Sequence, residues 1–387
     1  MYGVDYAARS IGGSRAIIEM NILYLSTHLN IGGISSYIFT LANGLKKNGH
    51  NVYAASSGGE LVSKFIAAGI PHLDIPIKTK SEINILKIWG SFLKLKKFVT
   101  ENNIDIIHAN TRVTQVLAYF LSRNTKKPYI STCHGFFKKR FSRKIFPCWG
   151  RRVIAISEPV REHLKNDFKV KSEDMRVVHN GIDVQRFSQP YAQAPVEIKK
   201  RSGLKNGPVV GIIARLSDVK GHAYLIEAMS LVFKKIPDAQ LLIAGEGRIK
   251  DELVNLTERL KISEHVFFIP NIYDTKEFLS VMDLFVLPSL KEGLGLSLME
   301  AMASGLGVVG SDVGGIKSLI QDRINGLLVR PADAEGLARA ILELLEDKEK
   351  RNKFGENAKN FIAQNFSQER MASETEGVYL ECLSEKH

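Results

Sequence analysis

The sequence predicts an α/β protein of two doubly wound halves, each a parallel sheet with helices on both faces. Three observations predict it. Short apolar runs rich in β-branched residues alternate with helical patterns along the chain, as expected when parallel strands are joined by helical crossovers. A length of 387 residues suits two domains better than one. The stretch Ser188–Pro208 holds Gln-Pro-Tyr-Ala-Gln-Ala-Pro and a Lys-Lys-Arg run, and two prolines so close disfavour continuous helix or sheet.

Strands of the first half are expected at Ile22–Ser26, Asn51–Ala55, His72–Ile75, Ile104–His108, Pro128–Thr132, Arg152–Ile156 and Arg176–His179. Those of the second half are expected at Val209–Ile213, Gln240–Ala244, Val266–Ile269, Leu284–Leu287, Val308–Gly310 and Leu327–Val329. This divides the chain into a first domain at 20–187, a linker at 188–208, a second domain at 209–365 and closing helices at 366–387. Residues 1–19 lack the apolar core of a secretory signal. They read as an extension ahead of a natural-looking start at Met20.

Composition narrows the function. No run of 18 apolar residues exists to span a membrane. Three cysteines, Cys133, Cys148 and Cys382, show neither disulfide nor metal spacing. Charge is uneven: residues 1–187 hold 28 basic against 13 acidic side chains, a net of +15, and residues 188–387 hold 25 against 28, a net of −3. A one-signed field on one domain points to an anionic partner. No nucleic-acid motif is present, so an anionic membrane surface or phosphorylated lipid is the expected partner. The segment Gly135–Arg152 mixes aromatics with cations, among them Lys138, Lys139 and Arg140. That mixture suits a membrane interface, and equally a packed segment with a basic outer face.

The chemistry concentrates in Pro288-Ser-Leu-Lys-Glu-Gly-Leu-Gly-Leu-Ser-Leu-Met-Glu300. An apolar strand runs into a turn with Gly293 and Gly295, then a helix whose first N–H groups are unpaired and can bind an anion. Glu292 and Glu300 are eight residues apart, about 80° of helical rotation, and can face one crevice. Carboxylates accept sugar and ribose hydroxyls, and N–H groups suit phosphate. The layout fits a nucleotide-sugar. Arg215 and Lys220 precede another helix start, near Gly221, and would form a diphosphate clamp. No Asp-x-Asp occurs, so no metal is expected under that diphosphate.

Glu-x7-Glu after Pro-Ser resembles the signature of retaining glycosyltransferases of the GT-B fold, family 4 in particular. Further matches follow in order: Gly32-Gly33 after the first strand, His134-Gly135, Val178-His-Asn-Gly-Ile-Asp, Gly211-Ile-Ile-Ala-Arg-Leu-Ser-Asp-Val-Lys-Gly221 and Asn325-Gly-Leu-Leu-Val. The resemblance covers Met20 to the C-terminus. It implies two Rossmann-like domains facing each other across a cleft, with the last helix returning to the first domain. It implies catalytic roles for Arg215, Lys220, Glu292 and His134. Donor binding would fall to Gly33, Glu300, Gly293, Leu294, Gly295, Leu296 and Asn271. The acceptor side would hold Gly32, Asn110, Lys138, Lys139 and Arg140. Leu294, Gly307 and Ser318 depart from the family's usual Phe, Pro and Glu.

The expected activity is metal-independent, retaining transfer of a hexose from a nucleotide-sugar, UDP-linked rather than GDP-linked, to a glycan or lipid-linked acceptor. No cofactor and no nucleic-acid partner is expected. The setting would be bacterial envelope glycan synthesis such as lipopolysaccharide, at the cytoplasmic face of the membrane, by a monomer or weak dimer. Two other readings stand beside it: a sugar-nucleotide epimerase or phosphorylase of the same fold, and a non-catalytic basic protein that binds nucleic acid.

Overall fold

The computed structural model describes residues 19–77, 85–137, 143, 145–193, 195–270 and 274–385. Among these residues the strands form two parallel sheets. The first contains β1 (Asn21–Leu25), β2 (Asn51–Ser56), β3 (His72–Asp74), β4 (Ile106–Ala109), β5 (Tyr129–Cys133), β6 (Val153–Ala155) and β7 (Met175–Val177) in the order β3-β2-β1-β4-β5-β6-β7. The second contains β8 (Val209–Ile213), β9 (Gln240–Ala244), β10 (Val266–Ile269), β11 (Leu284–Leu287), β12 (Gly307–Ser311) and β13 (Leu327–Val329) in the order β10-β9-β8-β11-β12-β13. Strand ends differ from the sequence expectation by a residue or two, as element ends commonly do.

The strand period of two explains the layering. Ile22 and Tyr24 of β1 enter a cluster with Ile38, Leu41 and Tyr379, and Leu23 and Leu25 enter another with Phe92, Leu95 and Leu117. Alternate side chains leave opposite faces of the sheet, and helices cover both. Helices Gly33–Lys47 and Gln368–Ser384 cover one face, and helices Ile85–Glu101 and Arg112–Thr125 the other. In the second sheet the strands β8, β9 and β11 are buried at every position, the mark of a sheet covered on both sides.

The stretch expected to be without regular structure contains the helix Pro195–Arg201. Proline is tolerated at a helix's first position, where its missing N–H would be unpaired anyway. Ile198 and Leu204 from this stretch pack into the second domain's core.

After the helix Lys348–Asn365 the chain crosses back. Ile182 donates its N–H to the Phe366 carbonyl at 3.0 Å, and Gln368 returns one to the Ile182 carbonyl at 2.9 Å, so the two crossing segments bond to each other. The last helix then lies on the first domain. Gln368 Nε2 donates to the Thr40 carbonyl at 2.6 Å, and the hydroxyls of Tyr24 and Tyr379 meet at 2.8 Å. Arg152 and Arg176 both pair with Glu381.

Candidate active site

Each sheet reverses its winding at one point, between β1 and β4 in the first and between β8 and β11 in the second. Crossover helices leave such a point in opposite directions and open a crevice at the strands' carboxyl ends. The loops there carry Gly32-Gly33 after β1, Asn110 after β4, Arg215–Lys220 after β8 and Glu292–Gly295 after β11, with His134 after the neighbouring β5.

In the second domain the β8 and β11 loops are bonded together. Leu290 donates its N–H to the Val219 carbonyl at 2.8 Å. Gly221, at φ 72°, lets the helix His222–Val232 start directly against the Pro288 carbonyl, where a Cβ would collide. This contact carries Lys220 to Glu292. Lys220 Nζ lies 2.5 Å from Glu292 Oε2, which also accepts from Ser289 Oγ at 3.1 Å. Both side chains are largely enclosed, 22% and 11% exposed. Arg215 beside them is exposed and, among the described residues, has no ion-pair partner.

The helix of this segment spans Leu296–Ala303 and begins after Gly295, at φ 102°. It starts four residues beyond Glu292, so the helical rotation used to align Glu292 with Glu300 does not apply. The two carboxylates keep separate company. Glu300 accepts from Thr275 and lies near Arg186, Asp274 and Lys64. Burial pushes its carboxyl up to about 7, against the Thr275 hydrogen bond and the Arg186 charge.

The first domain contributes His134. Its Nε2 lies 3.1 Å from Asn110 Oδ1, and its ring meets the edge of Tyr37 at 4.7 Å between centroids. Asn110 Nδ2 donates to the His108 carbonyl. Its oxygen therefore faces His134 as the acceptor, and His134 carries its proton on Nε2. Burial pushes His134 down to about 3, so the ring is neutral at physiological pH. Asn110 is only 2% exposed: it stands behind His134 rather than lining an acceptor surface. His108 lies deeper, between Tyr379 Oη and Thr132 Oγ1, both at 2.7 Å, and burial pushes it to about 3 as well.

The two domains touch at the donor loop. Ser157 Oγ donates to the Gly293 carbonyl at 2.7 Å. Gly33 packs against Leu296: a Cβ there would lie 3.6 Å from Leu296 Cδ1. Gly32 has open space at the same position. Lys291 Nζ sits 4.5 Å from the centre of the Phe136 ring. Leu294, where the family usually has Phe, is buried in a core cluster that joins residues of both domains.

Asn271, Lys138, Lys139 and Arg140 lie outside the described residues. The described part of the Gly135–Arg152 segment is divided: Arg143 and Cys148 turn inward, and Ile145 is 65% exposed. Arg143 is buried, with its guanidinium 4.0 Å from the centre of the Phe137 ring and 5.0 Å from that of Trp149. Phe146 stacks edge-on against Tyr119. Sequence reasoning missed Ser157, Tyr37 and Thr275. Each acts through a partner more than 20 residues away, which no local pattern reveals. Among the described residues no three His, Cys, Asp or Glu side chains group to hold a metal ion.

A family model described as glycosyl transferases group 1 matches residues 196–361, and one for glycosyltransferase family 4 matches residues 31–186. The chain is 26% identical to the UDP-Gal:alpha-D-GlcNAc-diphosphoundecaprenol alpha-1,3-galactosyltransferase of Escherichia coli, over 79% of this chain and 82% of that protein. It is 27% identical to the phosphatidyl-myo-inositol mannosyltransferase of Mycolicibacterium smegmatis, over 82% of each. Among solved structures, Anabaena HepE in complex with UDP-glucose superposes with a TM-score of 0.83 at 21% identity, over 94% of this chain and 100% of that one. At that identity the likeness speaks for the fold, two Rossmann-like domains in the GT-B arrangement.

Proposed function

Since this chain belongs to the glycosyltransferases of group 1 and family 4, we propose that it transfers a hexose, with retention and without metal, from a UDP-sugar to a glycolipid or polysaccharide acceptor of the bacterial envelope. One observation carries the donor reading: the Lys220–Glu292 pair beside exposed Arg215 and the start of the helix Leu296–Ala303, opposite neutral His134.

In this reading Glu300 receives the ribose hydroxyls. Lys220 has three donors and can hold a phosphate oxygen while it keeps Glu292. Arg215, without a carboxylate partner among the described residues, turns to the diphosphate. As the bond from the anomeric carbon to the phosphate oxygen breaks, negative charge grows on the diphosphate. Arg215, Lys220 and the amides at Leu294–Leu296 are already arranged to meet it. The acceptor oxygen bonds to the anomeric carbon on the same face, and its proton passes to the departing phosphate. Neutral His134, whose Nε2–H goes to Asn110, accepts a sugar hydroxyl at Nδ1 without adding a charge that would compete for the diphosphate.

The acceptor reading rests on charge and on one helix. No described helix is long and apolar enough to cross a membrane. Helix Ile85–Glu101 exposes Trp89 (57%) and Leu93 (54%), one turn apart, beside exposed Lys94, Lys96 and Lys97. An apolar pair ringed by cations suits the plane of an anionic bilayer. The E. coli and mycobacterial relatives are named for lipid-linked acceptors, which agrees with a peripheral position at the cytoplasmic face.

The test is titration calorimetry with UDP, GDP and their sugars, followed by transfer assays in excess EDTA. Preferential binding of UDP and turnover that survives EDTA are expected. Loss of turnover with rescue by manganese would overturn the metal-independent reading. Isomerised free nucleotide-sugar without an acceptor would mark an epimerase instead.

A further inference from the structure

Ser157 occupies the N-cap of the helix Glu158–Phe168, where a serine oxygen ordinarily accepts an N–H from its own first turn. It makes no such bond. Its hydroxyl donates instead to the Gly293 carbonyl, 136 residues away, and the whole side chain is buried. A local rule broken in favour of a partner on another domain marks a functional constraint. The partner is the first glycine of the donor loop.

The Gly293 peptide is held on its other sides as well. A Cβ at this position would come 3.1 Å from the His134 carbonyl, 3.2 Å from Gly135 Cα and 3.3 Å from Ile156 Cδ1. All three are first-domain atoms. From the second domain, Gly315 donates its N–H to the neighbouring Glu292 carbonyl at 3.0 Å. In a planar trans peptide the carbonyl and the N–H point in opposite directions. Fixing the Gly293 carbonyl toward Ser157 therefore fixes the direction of the Leu294 N–H, the first of the amides ahead of the helix Leu296–Ala303.

We infer that Ser157 is a positioning residue: its hydroxyl ties the seating of the first domain to the orientation of the donor-loop amides, so that the loop is aligned only when the two domains are together. The inference deepens the donor reading above and rests on it for its effect on turnover.

The experiment compares the full-length protein with Ser157→Ala and, from the other side of the contact, Gly293→Ala. Ser157→Ala removes no cap bond but leaves the Gly293 carbonyl without its donor, so its melting temperature should fall by only a few degrees. Turnover should fall about tenfold, the scale of one buried hydrogen bond. The dissociation constant for UDP should stay within about twofold, because the second domain's own contacts to UDP remain. Gly293→Ala should show the same split, since its new methyl presses on the His134 carbonyl. Hydrogen exchange of the 292–296 amides in the ligand-free protein should accelerate about tenfold in Ser157→Ala, and this measurement needs neither substrate nor activity. Unchanged exchange and unchanged turnover would overturn the inference, as would equal losses in UDP affinity and turnover, which would make Ser157 a mere support of the nucleotide pocket. A parent protein that binds no UDP while Ser157→Ala still frees the loop amides would refute the donor reading and leave the coupling standing.

Discussion

Replacing Lys220 with methionine separates what the Lys220–Glu292 pair does for stability from what Lys220 does for chemistry. The substitution keeps most of the length of the side chain and removes the charge. Glu292 is then left 11% exposed with Ser289 Oγ, at 3.1 Å, as its remaining partner. Breaking a fully buried pair costs about 3–5 kcal/mol, because one charge is left without compensation. Here Lys220 is 22% exposed, water reaches the pair, and Ser289 stays. About 2 kcal/mol is the reasonable scale after that discount, or about 4–8 °C in the melting temperature of a domain of this size. Turnover should fall further, by about 10²–10³, the effect of losing one preorganised charge at developing negative charge. The double variant Lys220→Met/Glu292→Gln tests the partition. A neutral amide oxygen still accepts from Ser289, so most of the melting temperature should return while turnover stays low. Calorimetry and an initial-rate assay read both quantities. A Lys220→Met protein within threefold of parental turnover, or a double variant that regains turnover, would refute the reasoning.

Arg215→Ala should lower turnover by about 10² with an unchanged melting temperature, since Arg215 is exposed and has no carboxylate partner among the described residues; loss of folding would contradict this. Glu300, raised to about 7 by burial, favours its neutral form in the fold. Its contribution to stability is present below the ordinary glutamate range and is lost as pH rises through about 7. The ligand-free parent should therefore lose melting temperature from pH 5 to 8 relative to Glu300→Gln. UDP affinity should rise over the same window, because hydroxyls donate to a carboxylate, and a flat profile in the parent would sink this assignment. Trp89→Ser with Leu93→Ser should weaken salt-sensitive capture by vesicles containing acidic lipid and leave turnover on a soluble acceptor intact; capture equal to the parent's would remove this helix as the membrane contact.

What the sequence by itself determined is local. Runs such as Val209–Ile213 and Leu284–Leu287 declare buried parallel strands because they carry no polar side chain and Pro208, Asp283 and Pro288 bound them. Glu-x7-Glu and the Arg-Leu…Lys-Gly loop could be found the same way, since each is a short string at a strand's end. Tertiary structure decided how those strings combine. Lys220 meets Glu292 because β8 lies beside β11, and Gly221 lets their loops press together; 72 residues separate the two side chains. Asn110 looked like a cleft residue from its place after β4, yet the neighbouring β5 brings His134 in front of it. The basic, aromatic segment after Gly135 gave no sign of which way its rings point. The core took Phe137 and Trp149, with Arg143 over them, because burying two aromatic faces and stacking a guanidinium on them outweighs holding those rings in water. Ser157 stands at the N-cap position of the helix Glu158–Phe168. It became a tie between domains only because the fold sets a loop carbonyl 2.7 Å from its hydroxyl. Strand order and domain seating depend on contacts between residues far apart in the chain, and no local periodicity encodes which loop will face which.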